Sequence, residues 1–236
     1  MPIKAVEPQR LYRRIAEQIA QLIRRGEYRT GERLPPERDL ARQLKVSRPS
    51  VREALIALEV EGYVEVRVGS GVYVTQRRPT APRADALRGD SGPFELIAAR
   101  RLLESECAAL AARRATLPQL KRMKAALTAM ERDRRRAVMP LDNDRRFHLE
   151  VAEACGNSAL ALAVRTLWDQ RTGPLFLQLE HHFDTPELWD AAIAEHGAVM
   201  TAIEQHDATG ARTAMRRHMD AAARRFQRSW SVRERH

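Results

Sequence analysis

Four residues in the C-terminal half of the chain have the side-chain types that bind a divalent metal ion. Asp144 and His148 are spaced i, i+4 in a helical pattern, so their side chains project from one face about a turn apart. His196 and His218 follow in two later helical segments, 22 residues apart. One carboxylate and three imidazoles that converge inside a bundle would form a divalent metal site. Spacing alone leaves another interpretation open, because an Asp-x3-His pair on a helix is usually an exposed pair on the protein surface.

A second group of residues has the chemistry of DNA recognition. The stretch VSRPSVREALIAL, residues 46–58, places Arg48 and Arg52 in the first turns of a helix. Cations are disfavoured at that end of the helix dipole, so a negative partner is expected there. Ser47 is suited to cap the helix, the Ser50 hydroxyl is available, and arginine can bridge O6 and N7 of guanine. Two solvated arginines on a surface helix are the alternative interpretation.

The elements around this stretch predict a winged helix-turn-helix. A helical apolar stripe ends at Gly26, and a short helix begins after Pro35-Pro36 and runs to about Leu44. The next helix ends at Gly62, and the valines that follow alternate with polar residues. Gly69-Ser70-Gly71 then forms the three-residue loop of a hairpin. Three helices followed by a hairpin are the order of elements in that motif.

The rest of the chain predicts a mainly α protein with two domains. We expect the DNA-binding domain to occupy residues 1–76 and a linker rich in proline and glycine to occupy residues 77–93. Residues 94–236 are helical in pattern and predict an all-α bundle of about six helices. The predicted breaks fall at Leu117-Pro118, Met139-Pro140, Gly156-Asn157, Thr185-Pro186 and 207–210.

Composition and charge narrow the functional class. The net charge is +10, and the excess of positive charge per residue is about three times higher over residues 1–78 than over the remainder. Such a charge is typical of nucleic-acid binding, although a genome that prefers arginine to lysine would contribute to it. The two cysteines, Cys107 and Cys155, lack CxxC spacing and are expected to be buried thiols. With no signal peptide and no membrane span, a cytoplasmic location is expected.

The N-terminal segment closely resembles the winged-helix domain of GntR-family transcription regulators. The resemblance extends over GERLPPERDLARQLKVSRPSVREALIALEVEGYVEVRVGSGVYV, residues 31–74. Glu37 and Glu53 match positions that more often pair with arginines than contact bases. The resemblance implies DNA contacts at Arg38, Ser47, Arg48, Ser50 and Arg52, with Gly69 and Gly71 at the tip of the wing.

The C-terminal segment resembles the FCD-type ligand-binding domain of the FadR subgroup of that family. This resemblance implies that Asp144, His148, His196 and His218 bind Zn²⁺ or a similar divalent ion such as Ni²⁺ or Mn²⁺. It also implies that Arg100 pairs with the carboxylate of an effector. The stretches DSGPFELIAARRLLES, FHLEVAEACGNSAL and PLFLQLEHHFD look most like hexuronate regulators, which implies a sugar-acid effector. Arg171 and Gln178 are candidates for its hydroxyl groups.

The function expected from these residues is that of a homodimeric, ligand-responsive repressor bound to a palindromic operator. A metalloenzyme with a DNA-binding appendage is a rival, but the sequence contains no HExxH motif and no evident nucleophile–base pair. A non-specific basic architectural protein is a second rival. A third alternative keeps the fold and replaces the sugar acid with lactate, gluconate or another small carboxylate.

Overall fold

The computed structural model describes residues 10–76, 91–183 and 185–227. These residues form two compact units. The first unit consists of the described residues up to Gly92 together with Gly173–Leu179, and the second consists of Pro93–Thr172 and Glu180–Gln227. Most of the predicted linker and the last nine residues of the predicted second domain lie outside the described residues.

The first unit contains the predicted winged helix-turn-helix. Its elements are the helices α1 (Leu11–Arg24), α2 (Glu37–Leu44) and α3 (Arg48–Val60), followed by the strands β1 (Val64–Arg67) and β2 (Gly71–Val74). The predicted apolar face of α3 is buried and packs with the apolar face of α1. Its members are Val51, Ala54, Leu55 and Leu58, and those of α1 include Tyr12, Ile15 and Ile19.

The two strands form an antiparallel hairpin in which Val64 pairs with Val74 and Arg67 pairs with Gly71. The connecting loop has the predicted three residues, but it is residues 68–70, one position earlier than the sequence indicated. A segment before α2 also joins the hairpin, because Leu34 N–H donates to the Val72 carbonyl at 2.8 Å. The alternation of valines did not predict this additional pairing.

The second unit is all helical in the part of the chain that the structure describes. It contains seven α-helices, one of which is shared with the first unit. The sequence indicated about six. The extra break is a 3₁₀ turn at Gln170–Thr172 followed by Gly173-Pro174, which interrupts a segment that we expected to be continuous. The helices are α4 (Pro93–Arg114), α5 (Leu117–Arg135), α6 (Leu141–Ala154), α7 (Ser158–Asp169), α8 (Pro174–Phe183), α9 (Pro186–Glu204) and α10 (Ala208–Phe226).

Side-chain caps explain why three of the predicted breaks are helix starts. Asn157 accepts hydrogen bonds from the backbone N–H groups of the first turn of α7. Thr185 and Asp207 do the same for α9 and α10. These side chains satisfy donors that have no partner inside the helix, so each helix begins at a defined residue.

The core of the second unit is built largely from alanine and methionine side chains of α4, α5, α6, α9 and α10. Cys107 and Cys155 are completely buried free thiols, as expected, and they pack in a neighbouring cluster with Trp168. Small alanine side chains let helices approach closely, which brings residues from distant parts of the sequence into one interior. Among the described helices, none combines the length and the apolar character that crossing a membrane requires.

Candidate metal centre and DNA-binding surface

The four predicted metal ligands converge in the interior of the second unit. Asp144 and His148 lie on α6, His196 on α9 and His218 on α10, and all four are buried. His196 Nε2 lies 3.1 Å from Asp144 Oδ1 and 3.0 Å from His148 Nε2. The distance between His148 Nε2 and Asp144 Oδ1 is 3.6 Å. One ligand atom from each of the four residues lies within 4.8 Å of the others.

These separations fit a single metal ion. Four ligand atoms at about 2.1 Å from a tetrahedral Zn²⁺ are about 3.4 Å apart. The three distances above, which run from 3.0 to 3.6 Å, lie on either side of that value. One carboxylate and three imidazoles suit zinc, nickel or manganese, and a fifth or sixth position is available to an effector oxygen if the coordination expands.

Two of the histidines have a carboxylate on the nitrogen that faces away from the metal position. Glu104 contacts Nδ1 of His148, and Glu195 Oε2 lies 2.8 Å from Nδ1 of His218. Arg225 in turn donates to Glu195. A carboxylate on Nδ1 fixes the tautomer and the ring orientation, so that Nε2 presents its lone pair to a metal. This arrangement of supporting carboxylates is what a metal site needs and what an isolated surface pair lacks.

The electrostatics of the cluster differ from one ligand to the next. Burial would raise the pKa of Asp144, but its contacts with His148 and His196 outweigh burial and hold the pKa well below the ordinary value. Burial would lower the pKa of His148, and the negative charge of Glu104 together with Asp144 raises it instead. For His218, burial and the neighbouring imidazoles hold the pKa well below the usual range. Of the three imidazoles, His148 is therefore the one whose pKa is raised, whereas the pKa values of His196 and His218 are lowered.

Arg100, which the resemblance assigned to the effector, lies beside the metal cluster. It is buried on α4, and its Nε donates to Glu104 Oε1 at 2.7 Å. Its guanidinium carbon lies 3.8 Å from the centroid of the Trp168 ring, and Trp168 Nε1 also donates to Glu104 Oε1 at 3.1 Å. Burial would raise the pKa of Glu104, but Arg100 and His148 lower it to about 2. Glu104 therefore connects Arg100 to His148.

Arg171 also lies beside this cluster. Its Nη1 donates to Asp144 Oδ2 at 3.0 Å, and its Nη2 donates to Glu180. Its guanidinium carbon lies 4.4 Å from the centroid of the Trp168 ring. The structure therefore brings Arg171 together with Arg100 and the four predicted metal ligands, and its role in binding an effector stays a prediction.

Gln178, the third residue assigned to the effector, belongs to the segment Gly173–Leu179 that groups with the first unit. Its amide donates to Glu59 Oε2 at 3.1 Å, and Glu59 Oε1 accepts from the backbone N–H of Val66. This contact fixes Gln178 at the end of α3 and the start of the wing. A role for Gln178 as an effector ligand stays a prediction.

In the first unit, Arg38 and Arg48 are available to a partner. The Arg38 side chain is 76% exposed and that of Arg48 is 54% exposed. Ser47 caps α3 by accepting from the Ser50 N–H at 3.2 Å, and the two hydroxyl groups lie 2.8 Å apart. Arg48 and the two hydroxyl groups lie at the N-terminus of α3, and Arg38 lies in the first turn of α2. These groups match the chemistry of phosphates and guanine edges.

Arg52 departs from the sequence-based expectation. We expected it to face solvent beside Arg48, but its side chain is only 2% exposed. Its Nε donates to Glu37 Oε1 at 2.6 Å, and its Nη2 donates to the other carboxylate oxygen. The sequence correctly indicated Glu37 as an ion-pair partner of an arginine. A direct contact of Arg52 with DNA requires this pair to open, so that assignment stays a prediction.

The glycines assigned to the wing have backbone conformations that favour glycine. Gly69 has φ of 83° and Gly71 has φ of 134°. A Cβ atom on Gly71 would lie 2.5 Å from Arg33 Nε, so the position is also crowded. Sequence reasoning did not assign Arg33 to the wing, because the residue stands outside the alternating pattern that identifies the strands.

Sequence reasoning also missed the residues that support the metal ligands and the arginines. Glu104 could have been found from its i, i+4 spacing to Arg100, which is the ordinary signal for an ion pair on a helix. The other three are Trp168, Glu180 and Glu195, and no local pattern connects them with ligands that lie on other helices.

Comparison with known proteins matches both units of the chain to known families. Residues 11–74 match the family model of bacterial regulatory proteins, gntR family. Residues 95–221, more than half of the chain, match the model of the FCD domain. Among solved structures, a GntR protein of Streptococcus agalactiae is 27% identical and covers 90% of this chain and 99% of its own, with a TM-score of 0.50.

Two curated relatives match nearly the whole chain. The Uxu operon transcriptional regulator of Escherichia coli (strain K12) is 39% identical over 94% of this chain and 89% of its own length. The Exu regulon transcriptional regulator of the same strain is 38% identical over 92% of this chain and 85% of its own. This chain therefore belongs to the gntR family of bacterial regulatory proteins, with an FCD domain following its winged helix-turn-helix.

Proposed function

We propose that this protein is a homodimeric transcriptional repressor that senses a sugar acid of hexuronate catabolism. One observation carries the proposal: a buried Asp–His₃ cluster lies beside two arginines in the same chain as a winged helix-turn-helix. The relatives named as Uxu and Exu regulators support the hexuronate class. A regulator of this kind binds its ligand and its operator without turnover, and it acts in the cytoplasm, where the DNA is.

The DNA is read by the exposed N-terminal turn of α3. Arg48 is the residue that we assign to base edges, and Arg38, Ser47 and Ser50 are assigned to the backbone of the DNA. Base contacts specify a sequence, and phosphate contacts mainly position the protein on it. In a dimer, two such helices would read the half-sites of a palindrome. The wing glycines, Gly69 and Gly71, permit a close approach of the backbone to the DNA.

The effector site is built from the metal ligands and the two arginines. A bound divalent ion, which we propose to be Zn²⁺, would be held by Asp144, His148, His196 and His218. It would supply a Lewis-acidic position for an oxygen of the effector. Arg100 and Arg171 recognise the effector's carboxylate, because a guanidinium fork matches that group in shape and charge.

The switch follows from differential binding. An effector changes DNA affinity only if it binds the DNA-competent arrangement and the alternative arrangement with different affinities. The arginines are already engaged with carboxylates in this structure, so effector binding must rearrange the ion pairs of the second unit. We propose that this rearrangement releases the operator.

Operator release by uronates tests the function. An operator is first selected with the purified full-length protein from a pool of random DNA duplexes, and its affinity is measured by fluorescence anisotropy. D-Glucuronate, D-galacturonate and D-fructuronate are then added with Zn²⁺ or with EDTA. We expect at least one uronate to weaken operator binding about tenfold or more with the metal and to have no effect with EDTA, as for a coupling of 1–3 kcal/mol.

Three outcomes contradict parts of the proposal. A response to L-lactate or D-gluconate without a response to any uronate would overturn the hexuronate class. Selection of no consensus sequence would overturn the specific operator and favour a non-specific DNA-binding protein. Metal-dependent conversion of any of these acids by the purified protein would show that it is an enzyme.

A further inference from the structure

The charges beside the metal cluster are unevenly balanced. Two arginines, Arg100 and Arg171, are buried with three carboxylates, Glu104, Asp144 and Glu180. The formal charge of these five groups is negative by one. Because the three histidines bind a metal in their neutral form, a divalent ion changes the total to one positive charge. The loaded site therefore matches a ligand with a single negative charge.

We propose that Glu180 is an internal competitor of the effector, holding Arg171 in the ligand-free protein until a monocarboxylate displaces it. This inference rests on the proposed sugar-acid function and adds the class of acid: one carboxylate is preferred to two. It also assigns a regulatory contact to a residue of α8 that sequence reasoning did not single out.

The contacts of the three carboxylates indicate which one leaves. Asp144 Oδ1 lies 3.1 Å from His196 Nε2, so this carboxylate belongs to the metal position. The Glu104 carboxylate accepts hydrogen bonds from Arg100 and Trp168 and contacts Nδ1 of His148. If Glu104 moved away, these three groups would lose their acceptor. Among the described residues, the hydrogen-bond donor to the Glu180 carboxylate is Arg171. Glu180 is therefore the least anchored acceptor in the cluster.

The exchange conserves the pairing of Arg171. Arg171 Nη1 donates to Asp144, and Nη2 donates to Glu180. A buried guanidinium N–H without an acceptor is costly, so the ligand-free protein needs a carboxylate beside Nη2. An effector carboxylate that takes over the same hydrogen bond satisfies Arg171 equally well. Glu180 then gives up Arg171 but stays beside the site, so its charge still counts in the total of one positive charge. Glu180 is the first residue after Gly173–Leu179, the part of α8 that groups with the first unit. Its release therefore acts on the helix in which the chain passes from one unit to the other.

Competition by Glu180 predicts a gain of affinity when its charge is removed. The substitution Glu180→Gln keeps the size of the side chain, removes the competing charge and changes the formal charge of the loaded site from one positive to two. We expect zinc-loaded Glu180→Gln to bind D-galacturonate about tenfold more tightly than the wild type, as is typical for one charge pair in a buried site. D-Galactarate, which carries two carboxylates, should gain more, about thirty-fold or above.

The measurement is isothermal titration of the full-length protein with both acids and with neutral D-galactose. Glu204→Gln on α9 is the matched control, because Glu204 is 40% exposed and pairs only loosely with Lys124 at 3.7 Å. The control should leave both dissociation constants within twofold of the wild-type values. Neutral galactose should show no difference among the three proteins.

Each result separates this inference from the proposed function. Unchanged or weaker galacturonate binding by Glu180→Gln, with wild-type binding intact, would overturn the competitor assignment alone. Equal gains for the two acids would overturn the single-charge preference. A wild type that binds neither acid overturns the effector class and this inference together. If Glu180→Gln fails to fold by thermal denaturation, Glu180→Asp is used, which should give a smaller gain that is equal for the two acids.

Discussion

Arginine has opposite environments in the two units of this protein. At the start of α3, Arg48 is half exposed, and its nearest carboxylate, Glu37, lies 3.9 Å away. Beside the metal cluster, Arg100 is buried and donates to Glu104 at 2.7 Å, and Arg171 donates to two carboxylates. An exposed arginine meets DNA without first losing a partner inside the protein. A buried arginine that is already paired can bind a ligand only by giving up one of its carboxylate partners.

Arg52 shows that the contrast depends on packing rather than on the unit. It is one helical turn from Arg48, yet it is as buried as Arg100 and donates to Glu37 through two of its nitrogens, Nε and Nη2. The difference predicts that neighbouring arginines of the same helix have different roles: Arg48 in binding and Arg52 in stability. The contrast also predicts that the buried cluster responds to metal and pH while the exposed surface does not.

Removing a predicted metal ligand should produce the largest effect, and this effect should be confined to the second unit. We expect His196→Ala to lower the metal affinity by about a thousandfold or more, because one strong ligand and the cluster's geometry are lost. Operator affinity without effector should stay within about twofold of the wild-type value, and the effector response should disappear. Metal content by mass spectrometry and anisotropy titrations measure these quantities. The control is His181→Ala, which removes an exposed imidazole of α8; unchanged zinc in His196→Ala would refute the site.

The two arginines of α3 should separate binding from stability. Arg48→Ala should weaken binding to the selected operator by about 1–3 kcal/mol, with little change for scrambled DNA. Arg52→Ala should destabilise the first unit by about 3 kcal/mol, because Glu37 is left buried without its partner. Thermal denaturation and anisotropy distinguish the two effects. A loss of operator specificity by Arg52→Ala at unchanged stability would instead make Arg52 a DNA-reading residue.

Glu104 should affect the zinc affinity although it is not one of the predicted ligands. We expect Glu104→Gln to weaken zinc binding by about 10–100-fold, because the carboxylate on Nδ1 orients His148 and strengthens it as a ligand. Glu150→Gln, which removes a carboxylate on the same helix as His148 but paired with Arg122, is the control. Competition with a fluorescent chelator measures both affinities. Equal zinc affinities of Glu104→Gln and the wild type would show that the contact between Glu104 and His148 does not contribute to metal binding.

The pH dependence should be the most gradual effect. Glu104 and Asp144 raise the pKa of His148 in the metal-free cluster despite its burial, so a proton competes with the metal there. Metal binding releases this proton, and the affinity therefore falls as the pH decreases below the raised pKa of His148, by about tenfold per pH unit. Zinc affinity measured between pH 8 and pH 5 tests the sign. Binding of scrambled DNA to the exposed arginines should show no such proton release.

The fold of the first unit was predictable because its signals are local. Ser47 caps α3, the apolar spacing from Val51 to Leu58 gives the buried face, and glycines mark the hairpin. The break at Gly173-Pro174 was equally visible in the sequence, but we expected a continuous helix there. The pairing of Leu34 with the hairpin was not predictable, since it joins residues that share no periodic pattern.

The candidate site was predictable in its ligands and not in their surroundings. Asp144 and His148 have helical spacing, His196 and His218 have suitable side chains on later helices, and the resemblance to the FCD domain strengthened the assignment of all four. Glu180 and Trp168 lie on helices other than α6, and Glu195 supports His218 from a different helix. Their proximity depends on how the helices pack, which no spacing along the chain specifies.

The sequence by itself determined the types of side chain, the helices that carry them and the end of the chain that is rich in positive charge. Those properties depend on neighbours within a few residues, where hydrogen bonding and apolar periodicity act. Only the tertiary structure decided that Arg48 faces solvent while Arg52 is buried, and that Arg171 is already paired with Glu180. Burial and ion pairing are properties of packed helices, because the cost of desolvating a charge depends on everything that surrounds it.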